Sequence, residues 1–186
     1  MEHIVGGVLA GGGGRRYGAD KAFAEWKGRP LVEYALQSVS SFAEQTYILS
    51  KEPDKFTRLP WTVIPDITTT PTPISGILSI APFVKEWLLL AACDILLLDP
   101  EFIRTLKEAR EPGKAVFPRT ERGLQPLLAF YPKELLVYWE RAYRSGNFKL
   151  RSTAERMPHV AVDVPGAAPF RNINRPEDLL IGVKNE

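Results

Sequence analysis

The residues best suited to chemistry stand together near the start of the chain. A short apolar run leads into four consecutive glycines, and Arg15, Arg16 and Lys21 follow within a few positions. Glycine permits positive φ angles and close backbone approach, so successive N–H groups can converge on phosphate oxygens. Arginine binds phosphate through paired N–H groups and lysine through a point charge. The alternative is a flexible surface loop, but this stretch directly follows a predicted buried strand, which favours a nucleotide site.

The spacing of the glycines excludes two better-known phosphate loops. A P-loop needs a lysine and a serine or threonine directly after its last glycine, whereas Gly18 is followed by alanine and aspartate. The dinucleotide fingerprint G-x-G-x-x-G fails because Arg16 or Tyr17 stands where its third glycine belongs. The stretch therefore predicts neither a Walker ATPase nor a standard NAD-binding turn.

Two aspartates stand directly after predicted strands. Asp94 follows the continuous apolar run 87–92, and Asp66 follows the run 61–64. Ligands of open α/β sheets bind at the carboxyl ends of the strands. Asp94 is a candidate Mg²⁺ ligand, since this ion takes one or two carboxylates together with phosphates and water; its alternative role is to cap the next turn. Asp66 can accept hydrogen bonds from the N–H groups of guanine, and its alternative role is an Asx turn.

The elements that must position these residues alternate between strands and helices. Strands are predicted near 4–9, 46–49, 61–64, 87–92, 115–117, 127–131 and 160–162. Helices are predicted after Pro30, from a cap at Ser75 through 84, from a cap at Asp99 through 106, over 135–143 with an end near Gly146, over 148–157 and over 176–181. This order indicates a three-layer α/β/α sandwich with a mostly parallel central sheet, formed by residues 1–186 as one domain.

The composition excludes several other classes of protein. A formal net charge of +2 is too small to indicate nucleic-acid binding, and no apolar run reaches the length of a membrane span. Cys93 is the only cysteine, so neither an internal disulfide nor a zinc cluster is expected, and we expect a cytoplasmic protein. His3 and His159 are predicted to be surface residues.

Five segments resemble the molybdenum cofactor guanylyltransferase family of nucleotidyltransferases. The first resembles its signature L-A-G-G-x-x-x-R-M-G-x-D-K. The shared positions are Leu9, Ala10, Gly11, Gly12, Arg16, Gly18, Asp20 and Lys21. The others are the segment from Cys93 to Glu101, the segment from Asp66 to Gly76, the strand from Gln125 to Tyr131, and the stretch from Asn172 to Leu179.

The resemblance implies a Rossmann-like nucleotidyltransferase fold, of the type found in nucleotide-diphospho-sugar transferases, and transfer of GMP from GTP to the phosphate of molybdopterin cofactor. It implies that Arg16, Lys21 and Asp94 are catalytic, with Asp94 as ligand of Mg²⁺. The implied nucleotide-binding residues are Leu9, Ala10, Gly11, Gly12, Lys21, Ser50, Asp66 and Asp94. Asn172 and Asn174 would face the acceptor. Transient contact with molybdoenzyme apo-proteins or chaperones is also implied, and neither nucleic acid nor membrane is an expected partner.

The chain departs from the family pattern at three positions. Tyr17 stands in place of methionine, Thr72 in place of glycine, and Leu96 in place of proline. A Cβ at Thr72 would hinder a close backbone approach. Two alternatives therefore stay open: a cytidylyl- or sugar-phosphate nucleotidyltransferase of the same fold, and a nucleotide-binding partner protein with little turnover.

Overall fold

The computed structural model describes residues 2–11, 21–96, 99–164 and 171–172. The strands are β1 Ile4–Leu9, β2 Glu25–Trp26, β3 Arg29–Pro30, β4 Gln45–Ser50, β5 Thr62–Pro65, β6 Trp87–Ala92, β7 Ile95–Leu96, β8 Ala115–Thr120, β9 Gly123–Leu124, β10 Leu128–Pro132, β11 His159–Asp163 and β12 Arg171–Asn172. The α-helices are α1 Leu31–Ser40, α2 Pro73–Ile80, α3 Pro100–Glu108, α4 Val137–Arg144 and α5 Leu150–Ala154. Short 3₁₀ turns lie at Lys21–Phe23, Pro53–Phe56, Ala81–Phe83 and Lys133–Leu136. None of the helices in these described ranges is long and apolar enough to cross a bilayer.

Within the described residues, the central sheet has eight strands and is mostly parallel. Seven of them lie in the order β11-β8-β10-β6-β1-β4-β5, and β9 pairs with β8 at the side. β1 runs parallel to both β4 and β6, and β4 runs parallel to β5. β10 is antiparallel to both of its neighbours, and β9 is antiparallel to β8. The predicted fold class is confirmed.

Helices cover both faces of this sheet, and β6 shows why. Every residue of β6 is buried. Leu89 and Ala91 belong to one apolar core together with α1 and α3, whereas Leu88 and Leu90 belong to a second core together with α2 and α4. Because successive side chains of a strand point to opposite faces, a continuous apolar strand requires a helix layer on each side. Burying one leucine side chain stabilises the fold by about 1.5–3 kcal/mol.

Several predicted helix boundaries are confirmed and one cap is wrong. Asp99 caps α3, with its carboxylate accepting from the N–H of Glu101 at 3.0 Å, and α4 ends just before Gly146, whose φ is +68°. Ser75, however, lies inside α2, which begins at Pro73 with Thr72 as its cap. Proline is favoured in the first helical turn because its missing N–H has no partner there.

Three further predictions differ in extent. α2 ends at Ile80 and a 3₁₀ turn follows it, so the predicted helix does not continue to 84. The predicted loop Arg119–Gly123 is shorter, since β8 continues to Thr120 and pairs with β9. The predicted helix 148–157 is reduced to α5, and the predicted helix 176–181 lies outside the described residues.

Candidate active site

A cavity of about 600 Å³ lies at the carboxyl ends of β1, β4, β5 and β6. Three backbone hydrogen bonds continue the sheet just beyond its strands. Ala10 N–H donates to Leu49 O at 2.9 Å. Cys93 N–H donates to Leu9 O at 3.0 Å, and Asp66 N–H donates to Ser50 O at 3.1 Å. These bonds fix the residues that follow each strand at the cavity wall, where ligands of such sheets bind.

Lys21 and Asp94 form an ion pair in this cavity. Lys21 Nζ lies 2.8 Å from Asp94 Oδ2, and their side chains are 18% and 30% exposed. The two residues are 73 positions apart. Lys21 begins the 3₁₀ turn Lys21–Phe23, and Asp94 follows β6. A cation and a carboxylate that both reach the cavity can serve a phosphate and a metal ion respectively.

Asp66 is half-buried and lines the same cavity. Burial raises the pKa of its carboxyl group, and the nearby Lys51 ammonium acts in the opposite direction. Both residues line the cavity. A partly desolvated carboxylate discriminates strongly between ligands with and without N–H donors, because an unpaired charge there is costly.

Gly76 lets α2 pack closely against the strands below Asp66. A Cβ at this position would lie 2.5 Å from Leu9 Cδ2, 3.2 Å from Leu49 Cβ and 3.6 Å from Asp66 Oδ1. Leu9 and Asp66 both line the cavity. A larger residue at position 76 would therefore have to displace cavity-lining groups.

Hydroxyl groups fix the loop that connects Asp66 to α2. Ser75 Oγ donates to Thr70 O at 2.9 Å and is also hydrogen-bonded to the hydroxyl of Thr68. Ser79 Oγ accepts from the N–H of Ile67 at 2.8 Å. Thr70 Oγ1 lies 3.2 Å from the hydroxyl of Tyr143 in α4. Ser75 therefore holds this loop in place of capping the helix.

Thr72 has a clear role where the family pattern has glycine. Its side chain accepts a hydrogen bond from the N–H of Ile74 at 3.4 Å, and its backbone is extended. Threonine is a favourable N-cap, and glycine at the same position costs only a few tenths of a kcal/mol relative to a good cap. Thr72 and glycine are thus both compatible with this helix start.

The structure places six of the predicted site residues on the cavity wall. They are Leu9, Ala10, Gly11, Lys21, Asp66 and Asp94. Ser50 is only 1% exposed, and its hydroxyl accepts from the N–H of Glu52 at 3.1 Å. The next residue, Lys51, lines the cavity instead.

The remaining predicted site residues belong to the segments around the cavity. Asn172 pairs with Ile95 between β12 and β7, which brings its backbone next to the strand that follows Asp94. Gly12, Arg16 and Asn174 lie outside the described residues.

Sequence reasoning missed Lys51, Cys93 and Leu127 as cavity-lining residues. The signal for Lys51 was present, because it directly follows β4 at the same edge as Asp66 and Asp94. Cys93 is buried, with only 8% of its surface exposed, and still lines the cavity. Leu127 reaches the site because β10 runs antiparallel to β6 and so begins at this edge.

A second cavity of about 230 Å³ adjoins the first. Ala92, Asp94 and Leu127 line both. The other walls of the second cavity come from the β9–β10 connection and from the start of α5. Asp94 therefore stands where the two cavities meet.

The donor set around Asp94 fits Mg²⁺ held together with a substrate. No group of three or more histidine, cysteine, aspartate or glutamate side chains in the described part of the chain is arranged to hold a metal ion. A closed, all-protein metal centre is thus absent from those residues. Mg²⁺ bound to triphosphates typically takes one or two protein carboxylates and draws its other ligands from phosphates and water. A single carboxylate that is 30% exposed in a cavity meets this requirement.

Comparisons with known proteins agree with this geometry. Residues 6–160 match the sequence model of the MobA-like NTP transferase domain. A probable molybdenum cofactor guanylyltransferase from Deinococcus radiodurans is 32% identical, with 96% of this chain and 93% of the relative covered. A molybdenum cofactor guanylyltransferase from Pseudomonas syringae is 30% identical, with 95% and 90% covered.

A solved structure agrees over nearly the whole chain. The structure of molybdopterin-guanine dinucleotide biosynthesis protein A from Archaeoglobus fulgidus superimposes with a TM-score of 0.81 and 30% identity, covering 95% of each chain. A nucleotidyl transferase from Methanothermobacter superimposes with a TM-score of 0.79 at 16% identity, which supports the fold alone.

Proposed function

The chain belongs to the MobA-like NTP transferase family, and from that premise we propose that it transfers GMP from GTP to the terminal phosphate of molybdopterin cofactor. The products are molybdopterin guanine dinucleotide and pyrophosphate. The observation that carries this proposal is the position of Asp94 between two adjoining cavities. A transferase of this kind needs one site for each substrate and a charged group where the two phosphates meet.

The larger cavity takes the nucleotide in this proposal. Its volume of about 600 Å³ falls within the range of small-molecule sites. Asp66 accepts N–H groups of the guanine base, and Lys21 binds the triphosphate. Leu9, Ala10 and Gly11 line the same cavity, and the proposal includes phosphate binding by Gly12 and Arg16. Ser50 supports the cavity wall from beneath by fixing the turn that carries Lys51.

The chemistry requires charge neutralisation and positioning more than proton transfer. An oxygen of the acceptor phosphate forms a bond to the α-phosphorus of GTP, and the bond to the bridging oxygen of the β-phosphate breaks. The electron pair of that bond leaves with pyrophosphate. A phosphate monoester has its second pKa near ~6, so the acceptor arrives ionised at neutral pH and needs no general base.

Asp94 would hold Mg²⁺, which supplies positive charge to the triphosphate and to the departing pyrophosphate. Lys21 Nζ lies 2.8 Å from Asp94 Oδ2, so Asp94 would hold the metal beside the ammonium that binds the phosphates. Asn172 and Asn174 face the acceptor in this proposal, and pairing of β12 with β7 supports the place of Asn172 near Asp94. Delivery of the product to molybdoenzyme apo-proteins or chaperones in the cytoplasm completes the proposal.

The test is an assay of pyrophosphate release with the purified protein, Mg²⁺ and molybdopterin cofactor. GTP, CTP and ATP are supplied in separate reactions, and each is repeated without the acceptor. We expect release with GTP and acceptor together, and calorimetric titration should show tighter binding of GTP than of CTP or ATP. Preferential use of CTP would replace the guanylyl assignment, and binding without release would indicate a partner protein.

A further inference from the structure

The second cavity contains an arginine that the reaction described so far does not use. Arg151 lies at the start of α5 and lines this cavity together with Asp94 and Gln125. Within the described residues its guanidinium has no carboxylate partner, in contrast to the ammonium of Lys21. An arginine left unpaired beside a cavity is available to bind an anion.

The side chain of Arg151 lies against the β8–β9 hairpin. A Cβ at Gly123 would lie 3.2 Å from Arg151 Cδ, 3.3 Å from Nε and 3.5 Å from Cζ. Gly123 has a φ of +96°, a conformation that glycine adopts without strain. The absence of a side chain at position 123 thus leaves room for the guanidinium plane to lie directly against the hairpin.

Gln125 makes the hairpin rigid. Its Nε2 donates to Thr120 Oγ1 and to Gly123 O, both at 2.9 Å. Its backbone N–H donates to Pro118 O at 2.9 Å. The surface that supports Arg151 is therefore fixed before any ligand binds, which lowers the entropic cost of binding.

We propose that Arg151 binds the terminal phosphate of the acceptor and presents it to the nucleotide beside Asp94. The proposal rests on the proposed function, because it takes the second cavity as the acceptor side of the same site. A guanidinium presents two parallel N–H groups to phosphate oxygens, which fixes the orientation of the phosphate as well as its position. The cavity of about 230 Å³ accommodates the phosphate-bearing end of the acceptor, with the ring system extending outward.

The assignment also accounts for the separation of charges between the two cavities. Lys21 lines the larger cavity, Arg151 lines the smaller one, and Asp94 lines both. Each substrate phosphate then has its own cation, and the acceptor does not compete with GTP for Lys21. An acceptor phosphate held by Lys21 alone would have to displace the triphosphate.

The experiment compares Arg151→Ala and Arg151→Lys with wild type and with Arg156→Ala. Arg156 is a matched control, since it is exposed, follows α5 and is not among the residues that line either cavity in the described structure. For Arg151→Ala we expect the KM for molybdopterin cofactor to rise about 10- to 100-fold, because one charge-assisted phosphate contact is lost. Lysine should restore part of this loss. Equilibrium binding of metal-free molybdopterin, followed by pterin fluorescence, should weaken in parallel.

The Kd for GTP and the melting temperature of Arg151→Ala should stay at wild-type values. An unchanged KM for the acceptor with normal wild-type turnover would overturn the inference. A raised Kd for GTP would instead assign Arg151 to the triphosphate. A lowered melting temperature, with an equal loss of affinity for GTP and for the acceptor, would show that Arg151 is structural. Failure of the wild type to release pyrophosphate at all would instead refute the proposed function.

Discussion

Replacing Asp94 by asparagine removes one negative charge at the junction of the two cavities with almost no change in volume. This carboxylate lies 2.8 Å from Lys21 Nζ, so metal-free GTP must compete with Asp94 for the ammonium. Exposed ion pairs contribute about 0.2–1 kcal/mol, and this pair belongs near the top of that range because its side chains are only 18% and 30% exposed. If GTP no longer has to break an ion pair worth about 1 kcal/mol, metal-free GTP should bind about fivefold more tightly.

The kcat of Asp94→Asn should fall, although its affinity for metal-free GTP rises. A metal ion contributes several kcal/mol of charge stabilisation in such a transition state, so loss of its protein carboxylate should lower kcat about a hundredfold to a thousandfold. Asp94→Asn should therefore bind metal-free GTP more tightly and yet react much more slowly. The addition of Mg²⁺ should rescue its rate poorly even at high concentration.

The assay pairs calorimetric titration of GTP in a chelating buffer with pyrophosphate release across a Mg²⁺ titration. Asp99→Asn is the matched control, because Asp99 caps α3 through the N–H of Glu101 and asparagine caps about as well. The control should leave both measurements unchanged. Near-normal turnover of Asp94→Asn with the Mg²⁺ dependence of the wild type would refute the metal role, and weaker binding of metal-free GTP would refute the competition for Lys21.

Substitutions at three other positions test the remaining parts of the site. Lys21→Ala should raise the Kd for GTP about 10- to 100-fold while the melting temperature falls by only about 2–4 °C for the lost ion pair; unchanged affinity with a large loss of stability would make Lys21 structural. Asp66→Asn should weaken GTP binding and raise the melting temperature at neutral pH, since burial raises the pKa of Asp66 and its ionised form destabilises the folded state. That gain in stability should shrink as the pH falls through the raised pKa and vanish below the ordinary pKa of 3.8, where the carboxyl is protonated in both the folded and the unfolded state; a gain independent of pH would contradict this reasoning. Thr72→Ala should cost about 0.5–1 kcal/mol in urea unfolding and Thr72→Gly only a few tenths, because the hydroxyl caps α2; equal losses would exclude the capping role.

The sequence by itself determined the strands and the kind of residue that follows them. β1 and β6 were predicted because continuous apolar runs between turn residues need burial on both faces, and both are confirmed. Asp66 and Asp94 were found because strand ends are where polar residues meet ligands in such sheets. The cap at Asp99 could also be predicted from the local sequence, because an N-cap depends only on its own helix.

Other features depended on how distant segments pack. Ser75 fits a cap by residue type, but the hydroxyls of Thr68 and Thr70 come from a loop whose path the sequence does not give. Ser50 was predicted to line the cavity, but its neighbour Lys51 does so instead, for a similar reason. The last strand residue faces the core, and the residue after it is the first to reach the edge.

The pairing of Lys21 with Asp94 and the support of Arg151 by Gly123 were decided by tertiary structure alone. The first joins residues 73 positions apart, and it forms because β6 is inserted beside β1 in the sheet order. The second cavity exists because β10 runs antiparallel and returns Leu127 and Gln125 to the same edge. Strand order and direction are set by the packing of the whole core, which is why no local pattern in the sequence contains them.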